Sequence, residues 1–285
     1  MAGTQDVEKK VAAKLGGNDK IPKLLLELLG SIFLAWSFGM LLTGGADPIN
    51  FGAAIFLVNL AIGSVAQGYC NPIIALNDGI IGRIPIIDAV LYIVCQFVGA
   101  FLGSGFAHGN LTDVDQGRFM RFPTRSFSWD TTKDEEKGVL VGAAFGIYLL
   151  AVAVFLIFFN GARHESNELS KKPIFGASLY AVSTIFYLHL AGPFTGGFLN
   201  MAIDTSTYAI GYDSFDQYNE ERNIEISDDI KSAYDDNLIV YLIAPFIGLI
   251  INLILYVAIV SPSLTAGNGS STGAAPVGTS DTDRQ

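Results

Sequence analysis

Gly68-Tyr69-Cys70-Asn71-Pro72-Ile73-Ile74-Ala75-Leu76 decides how the rest of the chain is read, together with its weaker echo Gly197-Phe198-Leu199-Asn200-Met201-Ala202-Ile203-Asp204. Each follows an apolar run long enough to cross a bilayer. Each also places an Asn ahead of about ten residues of helical character, too few to cross again. A segment of that kind enters and folds back. Backbone at membrane depth is tolerated only where protein buries it or it lines a watery cavity, so two such segments in one small chain point to a pore. An Asn at the start of a short helix is a natural N-cap. Two of them facing each other put amide donors beside two positive helix ends. A lone Asn-Pro in an apolar region is most often a turn or a cap, so the reading depends on the remaining sequence agreeing.

Composition agrees with a membrane protein. Charged residues make up 15% of the chain, against about 25% in an ordinary soluble domain, and the mean hydropathy is +0.43. The polar stretch after Met1 lacks the basic, apolar, small-residue order of a cleaved signal peptide, so the first span is expected to serve as the insertion signal. Cys70 and Cys95 both sit in apolar segments, which excludes a disulfide framework or a Cys-rich metal site. His108, His164 and His189 are scattered without metal-ligand spacing. No phosphate loop, dinucleotide fingerprint or nucleophile elbow occurs. The expectation is therefore a protein that is not an enzyme, with no metal, no cofactor and no nucleic-acid partner.

The expected fold class is an all-α membrane protein with six transmembrane helices plus two re-entrant half-helices in an inverted repeat. Residues 1–23, with Lys9, Lys10, Lys14, Lys20 and Lys23, read as a cytoplasmic tail under the positive-inside rule. Spans are expected at roughly 24–43, 51–67, 85–106, 138–159, 173–192 and 238–260, with a re-entrant segment after the second and the fifth. Two halves result within a channel domain at 24–260, roughly 24–107 and 138–260, and three spans in each reverse the orientation of the repeat. Residues 107–137 form an outer loop whose sequon Asn110-Leu111-Thr112 is a glycosylation acceptor. Residues 211–237, rich in Asp and Glu without a calcium-loop pattern, read as a solvated surface insertion. Residues 261–285, rich in Gly, Ser, Thr and Ala, read as a disordered cytoplasmic tail. Gly99 with Gly103, and Gly138, Gly142 and Gly146, are small-residue stripes that let helices approach closely. Glu27, an acid inside the first span, is either functional, the default for an acid at membrane depth, or an acid near the end of a helix that snorkels to the surface.

The two Asn motifs, Glu27-Leu-Leu-Gly30-Ser31, Gln96-Phe-Val-Gly99-Ala100 and Pro245-Phe-Ile-Gly248 together resemble the aquaporin and aquaglyceroporin (major intrinsic protein) family over about residues 24–260. In that family two Asn-Pro-Ala half-helices meet at the centre of the channel; the copies here are Asn71-Pro72-Ile73 and Asn200-Met201-Ala202. The resemblance implies a homotetramer, embedded in the lipid of the plasma membrane or of an organelle, with both termini cytoplasmic and a pore in each protomer. That pore would pass water and small neutral solutes such as glycerol or urea. Glu27 would accept hydrogen bonds from the backbone of the first re-entrant loop. The fourth span has Ala143 at the depth where a second such acid is usual. The family's outer filter maps by spacing onto Phe51, Leu188, Gly197 and Ile203, so Ile203 stands where an Arg is usual, and His189 lies one residue from the filter position. Asp204 resembles the Asp that follows the Arg in glycerol-conducting members. Gly197, Ile203 and the missing cation imply a filter wider or more apolar than a water-only one. Two other classes stay open at this point. One is an ion-coupled secondary transporter drawing on Glu27, Asp88 or His189, and the other is a closed-pore membrane scaffold.

Overall fold

The structure, a computed structural model, describes residues 20–43, 47–111, 135–164, 172–195, 197, 199–221 and 228–260. Most of the N-terminal tail, most of the 107–137 loop, the C-terminal tail and the acidic side chains of 212–237 lie outside the described residues. The elements, in chain order, are α1 (Lys20–Thr43), α2 (Pro48–Ala66), α3 (Pro72–Ile80), α4 (Ile86–Gly109) and α5 (Glu135–Ala162). They continue with α6 (Pro173–Leu190), the single turn α7 (Gly192–Thr195), α8 (Met201–Glu221) and α9 (Asp228–Leu255), which ends in a π-helical turn at Tyr256–Val260.

Among the described residues, four helices are long and apolar enough to span a membrane, with windows at Lys20–Leu41, Ile86–Gly109, Gly142–Ala162 and Leu238–Ala258. The second and fifth spans are shorter apolar helices, Pro48–Gly63 and Ile174–Leu190, because the chain leaves α2 and α6 early to re-enter. The side chains are sorted for lipid. Leu29, Val94, Phe158, Val182 and Phe186 are exposed, while Glu27, Asn71, Gln96, Asn160, Asn200 and Asn252 are wholly buried. That is the distribution of an integral membrane protein, whose polar groups face inward.

Packing repeats between the halves. Helix α1 lies along α4, α5 lies along α9, and α2 crosses to α6. Small residues set the close pairs. A Cβ on Gly99 would come within 2.6 Å of the Leu28 carbonyl, and one on Gly248 within 2.7 Å of the Leu149 carbonyl. The two contacts are counterparts in the two halves, which is the signature of the inverted repeat. Two members of the second glycine stripe do not pack in this way: Gly142 and Gly146 are exposed, and a Cβ there meets nothing within 4 Å, while the surroundings of Gly138 lie outside what is described.

The half-helices are unequal. Helix α3 has 9 residues and stops where Gly79 and Gly82, the latter with φ of 81°, supply a turn. Helix α8 has 21 residues instead of about ten, because no Gly or Pro follows Gly211 before Glu221. Helix α9 likewise begins at Asp228. Much of 211–237, expected as an insertion between spans, is thus a helical extension of the elements on either side.

Candidate functional site

Asn71 has the extended backbone of an N-cap, with φ −148° and ψ 115°, and its Oδ1 accepts from Ile73 N at 3.2 Å. Asn200 Oδ1 accepts from Ala202 N at 3.1 Å and Ile203 N at 3.4 Å. Pro72 presets the first turn of α3. Met201 cannot, yet α8 starts at the same place relative to its Asn, because the cap itself holds the first amides. The residue before each cap is left-handed, with φ of 43° at Cys70 and 68° at Leu199, a conformation costing a non-Gly residue about 1–2 kcal/mol. That conformation accompanies a reciprocal clasp. Asn71 Nδ2 donates to Leu199 O at 2.8 Å, and Asn200 Nδ2 donates to Cys70 O at 2.7 Å. Two helix N-termini therefore abut in the interior, each cap anchored on the other's loop.

The two loops are held by different chemistry. Glu27 holds the first: its carboxylate accepts from Tyr69 N at 2.9 Å, Cys70 N at 2.8 Å and Gln96 Nε2 at 2.9 Å. The Cys70 thiol lies against α1, where a Cβ on Gly30 would be 2.6 Å from it. The second loop has no acid on the fourth span, and a cage of tyrosines takes that place. Tyr148 Oη donates to Asp204 Oδ2 at 2.5 Å, Tyr241 Oη donates to Thr195 O at 2.9 Å, and Tyr187 Oη shares a hydrogen with Thr195 Oγ1 at 2.7 Å. Gly197 N donates to Thr195 Oγ1 at 3.3 Å. Tyr148 meets Tyr187 and Tyr241 edge-on, with centroids 6.0 and 6.1 Å away.

This cage alters the expectation at Gly197. A Cβ there would be 2.8 Å from Tyr148 and 2.9 Å from Tyr241, so the space a glycine leaves is filled by rings from α5 and α9. Phe51, Leu188 and Ile203 are all buried in the same core, and Phe51 sets its ring edge-on to Phe38 at 5.2 Å. His189 is exposed, with Nδ1 3.1 Å from Ile185 O, so Leu188 is the inward residue and no slip in register brings the imidazole in. Asp88 sits at the start of α4 and pairs with Lys20 at 2.8 Å.

At the other end of the α2–α6 pair is a cavity of ≈ 210 Å³, whose lining includes Asn59, Gln67, Tyr69, Arg163, Lys172 and Tyr180. Asp78, at the end of α3, anchors its wall. It accepts from Arg163 at 2.7 Å, Arg83 at 3.1 Å and Tyr69 Oη at 2.7 Å. Asn77 and Asn160 exchange side-chain hydrogen bonds of 2.8 and 3.1 Å, and Asn252 donates to Asn77 at 3.0 Å. In the sequence Asn77, Asp78 and Arg83 read only as turn residues that end the first half-helix and Arg163 as the mark of a cytoplasmic loop, so nothing there joined them to one another or to Asn160 and Asn252. The available signal was a set of Asn, Tyr and Asp residues in otherwise apolar helices, which are expensive unless paired.

The chain matches the sequence profile described as "Major intrinsic protein" over residues 34–256. It belongs to that family. Among major intrinsic proteins it is 26% identical over 202 residues to "Aquaporin PIP-type" of Atriplex canescens, an alignment covering 70% of this chain and 61% of that protein. It is also 26% identical over 185 residues to "Glycerol uptake facilitator protein-like 6" of Lactiplantibacillus plantarum, covering 63% of this chain and 80% of that protein. The chain thus spans under two thirds of the Atriplex relative's length. The solved aquaglyceroporin of Plasmodium falciparum shares the fold, with TM-score 0.65 and 16% identity over 87% of this chain and 99% of that one.

Proposed function

We propose that this major intrinsic protein is a passive transmembrane channel for water and small uncharged solutes. The observation that carries the reading is the reciprocal clasp of Asn71 and Asn200, which brings two half-helix N-termini together inside the protein. Helix N-termini carry partial positive charge, so their meeting point favours a lone-pair oxygen and repels cations. Width, hydrogen-bonding groups and half-helix dipoles are the terms by which aquaporin-type pores select. In this reading Asn71-Pro72-Ile73 and Asn200-Met201-Ala202 form the pore centre, Phe51, Leu188, Gly197 and Ile203 form the outer filter, and Glu27 supports the first loop.

By the alternation of spans Lys20, Arg83, Arg163 and Lys172 fall on one face, and their positive charge supports reading that face, with both termini, as cytoplasmic. Asn110 is then external; it is exposed at the end of α4, with its Nδ2 on Phe106 O at 2.7 Å, and is the glycosylation candidate. The unpacked Gly142 and Gly146 support a homotetramer, as small residues left open for a neighbouring protomer. A coupled transporter is disfavoured because its candidate groups are committed elsewhere: Glu27 to the loop, Asp88 to Lys20, His189 to the outer surface. The test is stopped-flow light scattering on proteoliposomes with water, glycerol and urea gradients, beside cation flux. Facilitated, unsaturated flux without a coupling ion is expected. Saturating flux driven by an ion gradient would replace this reading with the transporter.

A further inference from the structure

Asn71 Nδ2 carries two hydrogens, and both are in use. One goes to Leu199 O at 2.8 Å, and the other goes to the phenol oxygen of Tyr180 at 3.1 Å. Asn200 lies close enough to interact with the same phenol. Tyr180 is buried, its ring centroid 5.9 Å from that of Phe155, and it also lines the ≈ 210 Å³ cavity that opens from the face carrying Arg163 and Lys172. Tyr180 therefore touches both that cavity and the Asn pair.

We propose that Tyr180 is the specificity-determining residue of this pore, its hydroxyl standing where the oxygen of a permeating molecule would meet the Asn71 amide. The inference rests on the channel reading above. Water can take the place of the phenol by exchanging one hydrogen bond for another of the same kind, with the ring moving slightly toward the cavity. Glycerol or urea is wider and needs the ring out of the way. Selection between water and larger solutes is thus made at the Asn pair by a residue of α6, on top of whatever Phe51, Leu188, Gly197 and Ile203 contribute.

The experiment compares the full-length chain with Tyr180→Phe and Tyr180→Val in proteoliposomes, with assembly checked by size-exclusion chromatography. Tyr180→Phe keeps the ring and frees the amide hydrogen. Water flux is expected to rise about fivefold, the rate equivalent of one ordinary hydrogen bond, with glycerol flux unchanged. Tyr180→Val removes the ring, and glycerol and urea flux are expected to rise about tenfold or more. A merely structural tie would change stability without moving this solute ratio. If Tyr180→Val does not assemble, Tyr180→Phe decides alone. Assembled variants with wild-type water and solute fluxes overturn the assignment and leave the channel reading standing. If neither wild type nor any variant exceeds empty vesicles, the channel reading falls and this inference with it.

Discussion

Replacing Glu27 tests the link between the first span and the pore loop. Its two oxygens serve three donors, with Oε1 taking Tyr69 N and Oε2 taking both Cys70 N and Gln96 Nε2. Glutamine offers one acceptor oxygen and one amide. If that oxygen faces Cys70, the new NH₂ opposes Tyr69 N. If it faces Tyr69, the NH₂ opposes Cys70 N and Gln96 Nε2, and it can donate to Gln96 Oε1, now without a partner, only once the Gln96 amide turns over. Either way one buried backbone N–H loses its acceptor, at about 1–3 kcal/mol. Glu27→Ala strands all three donors and should cost roughly 3–9 kcal/mol, the same term taken three times. Thermal unfolding in detergent, followed by size-exclusion of the tetramer candidate, reads the stability. Stopped-flow water permeability per assembled protein reads the pore. Glu27→Gln is expected to assemble with reduced stability and reduced permeability, and Glu27→Ala to fail or nearly fail to assemble. Wild-type stability and permeability in Glu27→Ala would remove Glu27 as the support of this loop, because nothing else on α1 offers those amides an acceptor of equal strength.

Ile203→Arg tests the proposed outer filter by placing a cation in it. The assembled variant should lose glycerol and urea flux more than water flux and suppress any cation leak, and unchanged fluxes would remove Ile203 from the filter. Because the Cys70 thiol faces α1 at Gly30 rather than the space between the two Asn residues, Cys70→Ser should leave mercury sensitivity of water flux as in the wild type. Loss of inhibition in that variant would show that the thiol reaches the pore.

The fold was legible because its main constraints are local. Span length, the helix-starting Asn residues and the small residues of α4 are each visible in a few consecutive positions. Glu27 was legible for a different reason, since an acid in an apolar helix demands a partner. The tyrosine cage was not legible, because Tyr148, Tyr187 and Tyr241 come from three helices and only their packing makes them a group. For the same reason Gly197 suggested open space by its own size, while its neighbours in space fill it. Tyr180 was missed because it is 109 residues from its partner Asn71 in the chain. The length of α8 was missed because hydropathy marks where hydrocarbon ends, and a helix need not end there.

Osmotic shrinkage of proteoliposomes across a range of temperatures measures whether the meeting point of Asn71 and Asn200 is a path for water. Permeability above that of empty vesicles is expected, with a shallow temperature dependence like that of water moving in water, and is lost when Asn71 and Asn200 are both replaced by leucine in protein that still assembles. Permeability equal to empty vesicles at every temperature, in the wild type and in Tyr180→Val alike, would contradict it.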